Sequence, residues 1–335
     1  GDVEKIAVWA KEESAECGSS VAKAMEDRLP NAEIKRNWQE RGFQFARLSR
    51  ETRIRFNEPV GKKTTLGVGG TADIFVETGS MKDLKLLLKW SARKEIPIRV
   101  LGGGSNVVVS DLGVRGITVR LAGGDLGGIH LDNKTVVAGA GVPIARLLGW
   151  LEERGLAGLE FLEGIPGTVG GALRMNAGAW GEEIGNHVSC LHCLDMDGVE
   201  CTVRSKQAGF MYRECSCLRN RILLDTAIAV SEDSPINIRR KRLKFRQQRA
   251  WMKGLRSAGS IFKNPDNNFA GKLIEEAGLK GRRIGGAVVS RKHANVIVAQ
   301  PGACASDVMA LIETVREEVM SKSGIHLDTE VEFFE

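Results

Sequence analysis

Glycine is concentrated where a backbone has to turn or be approached. Of the 335 residues, 40 are glycine, and many of them fall between Gly61 and Gly185, clustered at the ends of apolar runs. A residue without Cβ lets the main chain take φ > 0 or lie flat against a ligand. The pattern therefore points to a large ligand wrapped by backbone loops. The rest of the composition, 42% hydrophobic, 27% charged and 5% aromatic, is that of a globular chain and excludes intrinsic disorder. At about 150 residues per domain the length gives two domains, or three small ones. No apolar run approaches the roughly 18 to 20 residues that span a bilayer. Gly1-Asp2-Val3-Glu4-Lys5 is not the start of a secretory signal, so a cytoplasmic protein without a membrane partner is expected. A net charge of +6 suits an anionic ligand without demanding nucleic acid. Seven cysteines are an odd number and too few for a disulfide scaffold, which favours reduced thiols.

Periodicity divides the chain. Residues 1–55 are charged and poor in glycine, with a strand pattern at 6–10 and a helix over 21–29 that Pro30 stops. They read as a helical extension packed on the body, with an interaction arm as the alternative. From Thr65 the texture changes. Alternation predicts a strand over 72–77, an amphipathic helix over 83–90, a strand over 96–101, and further strands at 107–109 and 117–120. A strand at 135–138 precedes a helix over 144–154. A long loop follows Leu159 and carries residues 164–172. Strands are expected at 188–195, 199–204 and 222–230. Pro235 starts a basic helix reaching about 251, a third αβ region covers 255–300, a helix spans 307–320, and 329–334 is a closing strand.

Several motifs carry chemistry. Gly67-Val68-Gly69-Gly70-Thr71-Ala72 has the spacing of a dinucleotide fingerprint, but a strand follows it where a helix should, and no acid lies about 20 residues on. No P-loop and no nucleophile-elbow pattern occurs. Gly102-Gly103-Gly104-Ser105-Asn106 and Gly164-Ile165-Pro166-Gly167-Thr168-Val169-Gly170-Gly171 are two loops whose bare backbone N–H groups can face phosphate. Two such loops point to a diphosphate held from both sides. Cys190-Leu191-His192-Cys193 and Cys215-Ser216-Cys217 invite zinc, yet only the first has knuckle spacing, and on a strand its two thiols would face opposite ways. No metal is expected. The run Arg239 to Arg249 with Phe245 and Trp251 reads as a solvated helix face that packs its apolar residues inward, against a nucleic-acid helix as the alternative. Ser257-Ala258-Gly259-Ser260-Ile261-Phe262-Lys263-Asn264-Pro265 packs a hydroxyl, an ammonium and an amide into five residues. By itself that stretch is either a turn or a site.

Taken in order, these motifs cease to be independent. Asn57-Glu58-Pro59, Thr64-Thr65, Gly67 to Gly70, the two glycine loops, Met175-Asn176-Ala177-Gly178-Ala179, Tyr212-Arg213, the 257–265 stretch and His293-Ala294-Asn295 together resemble the UDP-N-acetylenolpyruvoylglucosamine reductase family, type II, from about Phe56 to the C-terminus. The resemblance implies an α+β chain with an FAD-binding fold of the vanillyl-alcohol-oxidase type. One FAD subdomain would cover 56–120, completed by 323–335, and a second 121–232. A separate αβ substrate-binding domain would cover 233–322, and 1–55 remain an extension. The two loops (Gly102, Gly103, Gly104, Ser105, Asn106; Gly164, Ile165, Pro166, Gly167, Thr168, Gly170, Gly171), with Asn176 and Ala177, would hold FAD.

The reaction implied has two steps. NADPH reduces FAD and leaves. UDP-N-acetylglucosamine-enolpyruvate then takes hydride from flavin N5 at C3 and a proton from Ser260 at C2, giving UDP-N-acetylmuramate for peptidoglycan. By the same resemblance Arg213 and Glu330 polarise the substrate carboxylate, and Tyr212, Lys263 and Asn264 contact substrate. A monomer with no nucleic-acid partner is expected. Three departures stand out. Cys215 occupies the serine position of Tyr-Arg-x-Ser, the stretch 248–253 lacks the usual Gln-Pro, and 296–300 lacks the usual Phe and Asn. The rivals are another FAD-dependent oxidoreductase of the same fold and a non-enzymatic nucleotide-binding regulator that uses the basic helix.

Overall fold

The computed structural model describes residues 31–40, 47–133 and 135–335. The strand expected at 6–10 and the helix expected over 21–29 lie outside the described residues. Of the extension, α1 (Asn31–Glu40) is seen. Its Trp38 is buried against Trp90, with ring centroids 5.3 Å apart, so this part packs on the body.

Five strands come next: β1 (Arg53–Glu58), β2 (Ala72–Thr78), β3 (Ile98–Val100), β4 (Val107–Val109) and β5 (Val114–Leu121). Four form a mixed sheet in the order β1-β2-β5-β3, antiparallel at β1 and parallel elsewhere. Central β2 buries Ala72, Ile74, Phe75 and Val76, as a strand covered on both faces must. β3 is shorter than the predicted 96–101 because Pro97 has no N–H to give the ladder. The crossover helix α2 (Met81–Lys94) starts where the Ser80 hydroxyl accepts from the Asp83 N–H at 3.2 Å. Leu84, Leu87 and Leu88 form its buried stripe.

A second sheet is antiparallel throughout. Its strands are β6 (Ile129–Asp132), β7 (Thr135–Gly139), β8 (Val188–Asp195), β9 (Glu200–Arg204) and β10 (Arg221–Ala229), in the order β9-β8-β10-β7-β6. The three later strands match their expected ranges to within a residue. Between β7 and β8 lie α3 (Ile144–Glu153) and α4 (Val169–Arg174). The long loop predicted through 172 is thus cut short. Thr168 caps α4 by accepting from the Gly171 N–H at 3.3 Å, which places Gly170 and Gly171 in a helical turn. One buried cluster runs through α2, α3 and both sheets.

The basic helix α5 (Pro235–Arg249) has Ser234 as N-cap and proline in its first turn. It is not simply a solvated face. Arg242 is buried, its guanidinium bonded to Glu152 (2.5 Å) and Glu163 (2.7 Å), while Arg246 pairs with Glu163 and Arg239 with Glu152. An arginine run reads as polar in any window, but here it clamps α5 onto α3 and the second glycine loop. The rest of the chain builds an antiparallel sheet from β11 (Ser257–Ser260), β12 (Arg283–Ile284), β13 (Ala287–Val289) and β14 (Val296–Ala299), in the order β11-β14-β13-β12. The helices α6 (Ala270–Glu276) and α7 (Ala305–Ser323) cover it. Val308, Ile312, Val315 and Val319 of α7 seat a second core.

The predicted closing strand is split in two. Thr329 bridges Phe262, and then β15 (Glu332–Phe334) pairs in parallel with β4. Phe334 seals a small third core with Val60, Phe75, Leu101 and Val109. No described helix is long and apolar enough to cross a membrane.

Candidate active site

The two glycine loops meet backbone to backbone. A Cβ built on Gly103 would lie 2.5 Å from Gly167 Cα, and one on Gly102 would lie 2.9 Å from Thr168 Oγ1. The Ser105 hydroxyl donates to the Pro166 carbonyl at 2.8 Å. Both loops line a cavity of about 1220 Å³, larger than the roughly 300–1,000 Å³ that one small ligand fills. Its wall is rich in cations, among them Arg174, Arg213, Arg221, Arg249 and Lys253, and its acids are Glu163, Glu330 and Glu332. Among the described residues no three His, Cys, Asp or Glu side chains converge as a metal set.

Ser260, Arg213 and Glu330 all open onto this cavity, and each is positioned by a different device. Ser260 ends β11 opposite Val296, just after an irregularity in the ladder. There Gly259 takes φ +76 with no described atom within 4 Å of its missing Cβ, so conformation and not space requires glycine. The Ser260 hydroxyl bonds to no other described residue. Beyond it the buried Asn295 side chain accepts from the Phe262 N–H at 2.9 Å and donates to the Phe262 carbonyl at 2.8 Å. That reciprocal pair explains the His293-Ala294-Asn295 motif as a support for the serine strand.

Glu330 is brought to Ser260 by the bridge at Thr329 and by its own N–H, which donates to the Ile261 carbonyl at 2.7 Å. Asn106 of the first glycine loop donates to the Glu330 carbonyl at 2.8 Å. Burial pushes the Glu330 carboxyl above its ordinary range, against the opposing pull of Arg213 and Lys263. Arg213 sits at the tip of a hairpin, where residues 210–211 pair with 214–215, in a left-handed conformation at φ +57. Its Nη2 donates to the Gly178 carbonyl at 3.2 Å. Its Nε lies 3.2 Å from Glu330 Oε1, a charge contact without hydrogen-bond alignment.

Gly102 to Asn106, Gly164 to Thr168, Gly170, Gly171 and Ala177 line the cavity. Asn176 stands behind the wall. Its amide donates to Glu183 (2.7 Å) and to the Met211 carbonyl (3.0 Å), and it accepts from the Gly185 N–H (2.9 Å). It thereby anchors the Arg213 hairpin. Tyr212 and Asn264 meet outside the wall, where the Asn264 N–H donates to the tyrosine hydroxyl at 3.3 Å. Lys263 is close enough to act on Glu330. Sequence reasoning missed Arg249. It stacks over Trp180 at 6.0 Å, its Nε is buried with no hydrogen-bond partner among the described residues, and burial and the Arg213 charge depress its pKa.

The profile described as "FAD binding domain" matches residues 72–204, and "UDP-N-acetylenolpyruvoylglucosamine reductase, C-terminal domain" matches 249–334. The protein of that name from Halalkalibacterium halodurans is 38% identical over 83% of this chain and 93% of its own. The one from Geobacter sulfurreducens is 40% identical over 86% and 97%. The chain belongs to the UDP-N-acetylenolpyruvoylglucosamine reductase family. The crystal structure of the reductase from Thermus caldophilus superposes with a TM-score of 0.73 at 33% identity, covering 85% of this chain and 99% of that one.

The chain is thus an FAD-dependent oxidoreductase, and its residues fit that cofactor. The Gly103–Gly167 contact leaves no room for side chains, which bares main chain to the cavity, and the cationic wall matches a diphosphate. Asn106 links the first glycine loop directly to the segment that bears Glu330.

Proposed function

We propose that this enzyme reduces UDP-N-acetylglucosamine-enolpyruvate to UDP-N-acetylmuramate in peptidoglycan precursor synthesis, with NADPH as co-substrate. One observation carries the reading. A serine with no bond to another described residue, a half-buried arginine and a carboxyl raised by burial, drawn from three distant segments, converge on a single cavity walled by two bare glycine loops. Residues 56–120, completed by 323–335, and 121–232 hold the FAD in this reading, and 233–322 cover the substrate. When bound, FAD supplies the redox chemistry, relaying a hydride equivalent from NADPH to the enol ether.

The chain's own residues do the rest. The Arg213 guanidinium pairs with the substrate carboxylate and fixes the enolpyruvyl group. Negative charge builds on that carboxylate as C3 is reduced. Glu330, whose neutral form burial favours, donates a hydrogen bond to it in that form, where an ionised carboxylate would repel it. Preorganised donors of this kind are each worth about 3–4 kcal/mol in a water-poor site. Ser260 then passes its hydroxyl proton to C2. Serine is a weak acid, so the transfer depends on a strongly basic carbon and on the neighbouring cations Arg213 and Lys263. Tyr212, Lys263 and Asn264, which stand outside the wall of the cavity, contact the remainder of the sugar nucleotide in this reading.

The test is spectroscopic. FAD-loaded enzyme is mixed anaerobically with NADPH and then with the enolpyruvyl sugar nucleotide. Flavin absorbance should bleach and then return. Bleaching with no return on that substrate, but rapid return with oxygen, would assign the fold to a different flavin oxidoreductase.

A further inference from the structure

The hairpin that carries Arg213 has a thiol at its root. Cys215 pairs with Phe210 across the hairpin, two residues from the arginine, and its side chain is fully buried. Its Sγ lies 3.7 Å from that of Cys217, in the short turn Ser216–Leu218. The proposed mechanism uses neither thiol, and position 215 is the one where this chain departs from the serine of Tyr-Arg-x-Ser. We propose that Cys215 and Cys217 form a redox modification site: an oxidant of the peroxide class joins them in a disulfide, and the new bond draws the root of the hairpin inward and withdraws Arg213 from the cavity.

The geometry distinguishes the roles of the two sulfurs. Cys217 keeps 8% of its surface while Cys215 keeps none, and its neighbours Leu218 and Arg221 line the cavity through which a small oxidant would arrive. The thiol–thiol hydrogen bond leaves the proton on Cys215, whose pKa is raised by that bond and by burial. The same bond lowers Cys217, aided by Arg221, which donates to the Cys217 carbonyl at 3.1 Å. The thiolate is the nucleophile. Cys217 sulfur attacks one peroxide oxygen, the O–O bond breaks, and the departing hydroxide takes up a proton, leaving a sulfenic acid. Cys215 sulfur then attacks Cys217 sulfur. The S–S bond forms, the S–O bond breaks, and the hydroxide leaves with the Cys215 proton as water. Two thiols and one peroxide give one disulfide and two waters, and a dithiol reductant reverses the change.

Closure from 3.7 Å to a bond of about 2 Å moves a residue held in register with Phe210. The hairpin tip, where Arg213 lies 3.2 Å from Glu330, must follow. Ångström displacements of positioning groups cost about a hundredfold in rate. The inactivation half of the proposal rests on the reading of Arg213 given above, whereas the disulfide does not.

The experiment separates the two. FAD-loaded enzyme is treated with equimolar hydrogen peroxide, alkylated with iodoacetamide and digested with trypsin. Cleavage after Arg213 and Arg219 releases one short peptide, Glu214 to Arg219, that contains both thiols. Expected is a peptide lighter by two hydrogens and unalkylated, with turnover down by about tenfold or more, both reversed by dithiothreitol. Cys215→Ser should keep its turnover in peroxide and form no bridge, and Cys217→Ser provides the same control should the first fail to fold. A doubly alkylated peptide, or one in which Cys217 is linked to the buried Cys193 instead, overturns the site. A bridged peptide with undiminished turnover overturns the withdrawal of Arg213. Enzyme inactive on the enolpyruvyl substrate before oxidation counts against the functional reading alone, because the peptide mass still decides the thiols.

Discussion

A serine hydroxyl gives up a proton only to a strong base, so Ser260 contributes at one moment of the cycle. Ser260→Ala should slow flavin reoxidation by the enolpyruvyl substrate by about 10²–10⁴ and leave reduction by NADPH at its original rate. Stopped-flow measurement of the two half-reactions reads both, and equal losses in each would remove the serine from the proton path. Glu330 makes a prediction in pH. Its folded-state pKa is raised, with burial as the leading cause, so the neutral form persists above the usual carboxylate range. The substrate half-reaction should fall as pH rises through this raised pKa, and Glu330→Gln should lose that alkaline limb because the amide donates at every pH. The same sign governs stability. The neutral carboxyl's contribution is complete below its unfolded pKa and is lost as pH rises through the folded one. Thermal midpoints of Glu330→Gln and the parent should therefore diverge on the alkaline side, in favour of the amide.

The glycine loops act through their backbones. A methyl at Gly103 would press on Gly167 Cα at 2.5 Å, a main-chain atom that no rotamer change can move. Gly103→Ala should force the loops apart, cost about 1–3 kcal/mol of stability and leave a folded chain that binds FAD weakly. Fluorescence titration of the apoenzyme with FAD measures this, and an unchanged affinity would take the cofactor away from these loops. Legibility followed the same division of labour between side chain and backbone. Alternating apolar residues placed β8, β9 and β10 almost to the residue, because half-buried strands write their register into sequence. The stretch that became α4 is only six residues long with two glycines, and its Val169, Ala172 and Leu173 make less than two turns of apolar stripe, too short a pattern to announce a helix. A cap at Thr168 and its neighbours made the helix. Arg242 looked solvated because its partners, Glu152 and Glu163, are about 80–90 positions away. Ser260, Arg213 and Glu330 were legible only as members of an ordered motif set. Arg249 had no such motif, and its exposure to the cavity follows from tertiary packing alone.

On the scale of the whole molecule, the cavity is walled by segments from near residue 65 to residue 334, so what fills it ties the parts together. A ligand at a hundred times its Kd adds about 2.7 kcal/mol to the folded state. Stripping FAD should lower the thermal midpoint, and adding it back should restore it. Apo and holo forms that melt together would place the cofactor elsewhere.

One pairing has a consequence in time. β15 lies beside β4, and the Glu330 carbonyl receives its bond from Asn106, 224 positions upstream. Contacts of such sequence separation form late, because the closing of a long loop precedes any reward for it. A nascent chain on the ribosome therefore displays its glycine loops long before it owns the acid or the strand that completes the cavity wall. Such a chain has Phe75 and Val109 waiting for Phe334 until residues 332–334 emerge. Deleting residues 330–334 would stop maturation at that stage, with the glycine loops folded against an incomplete wall and no working enzyme.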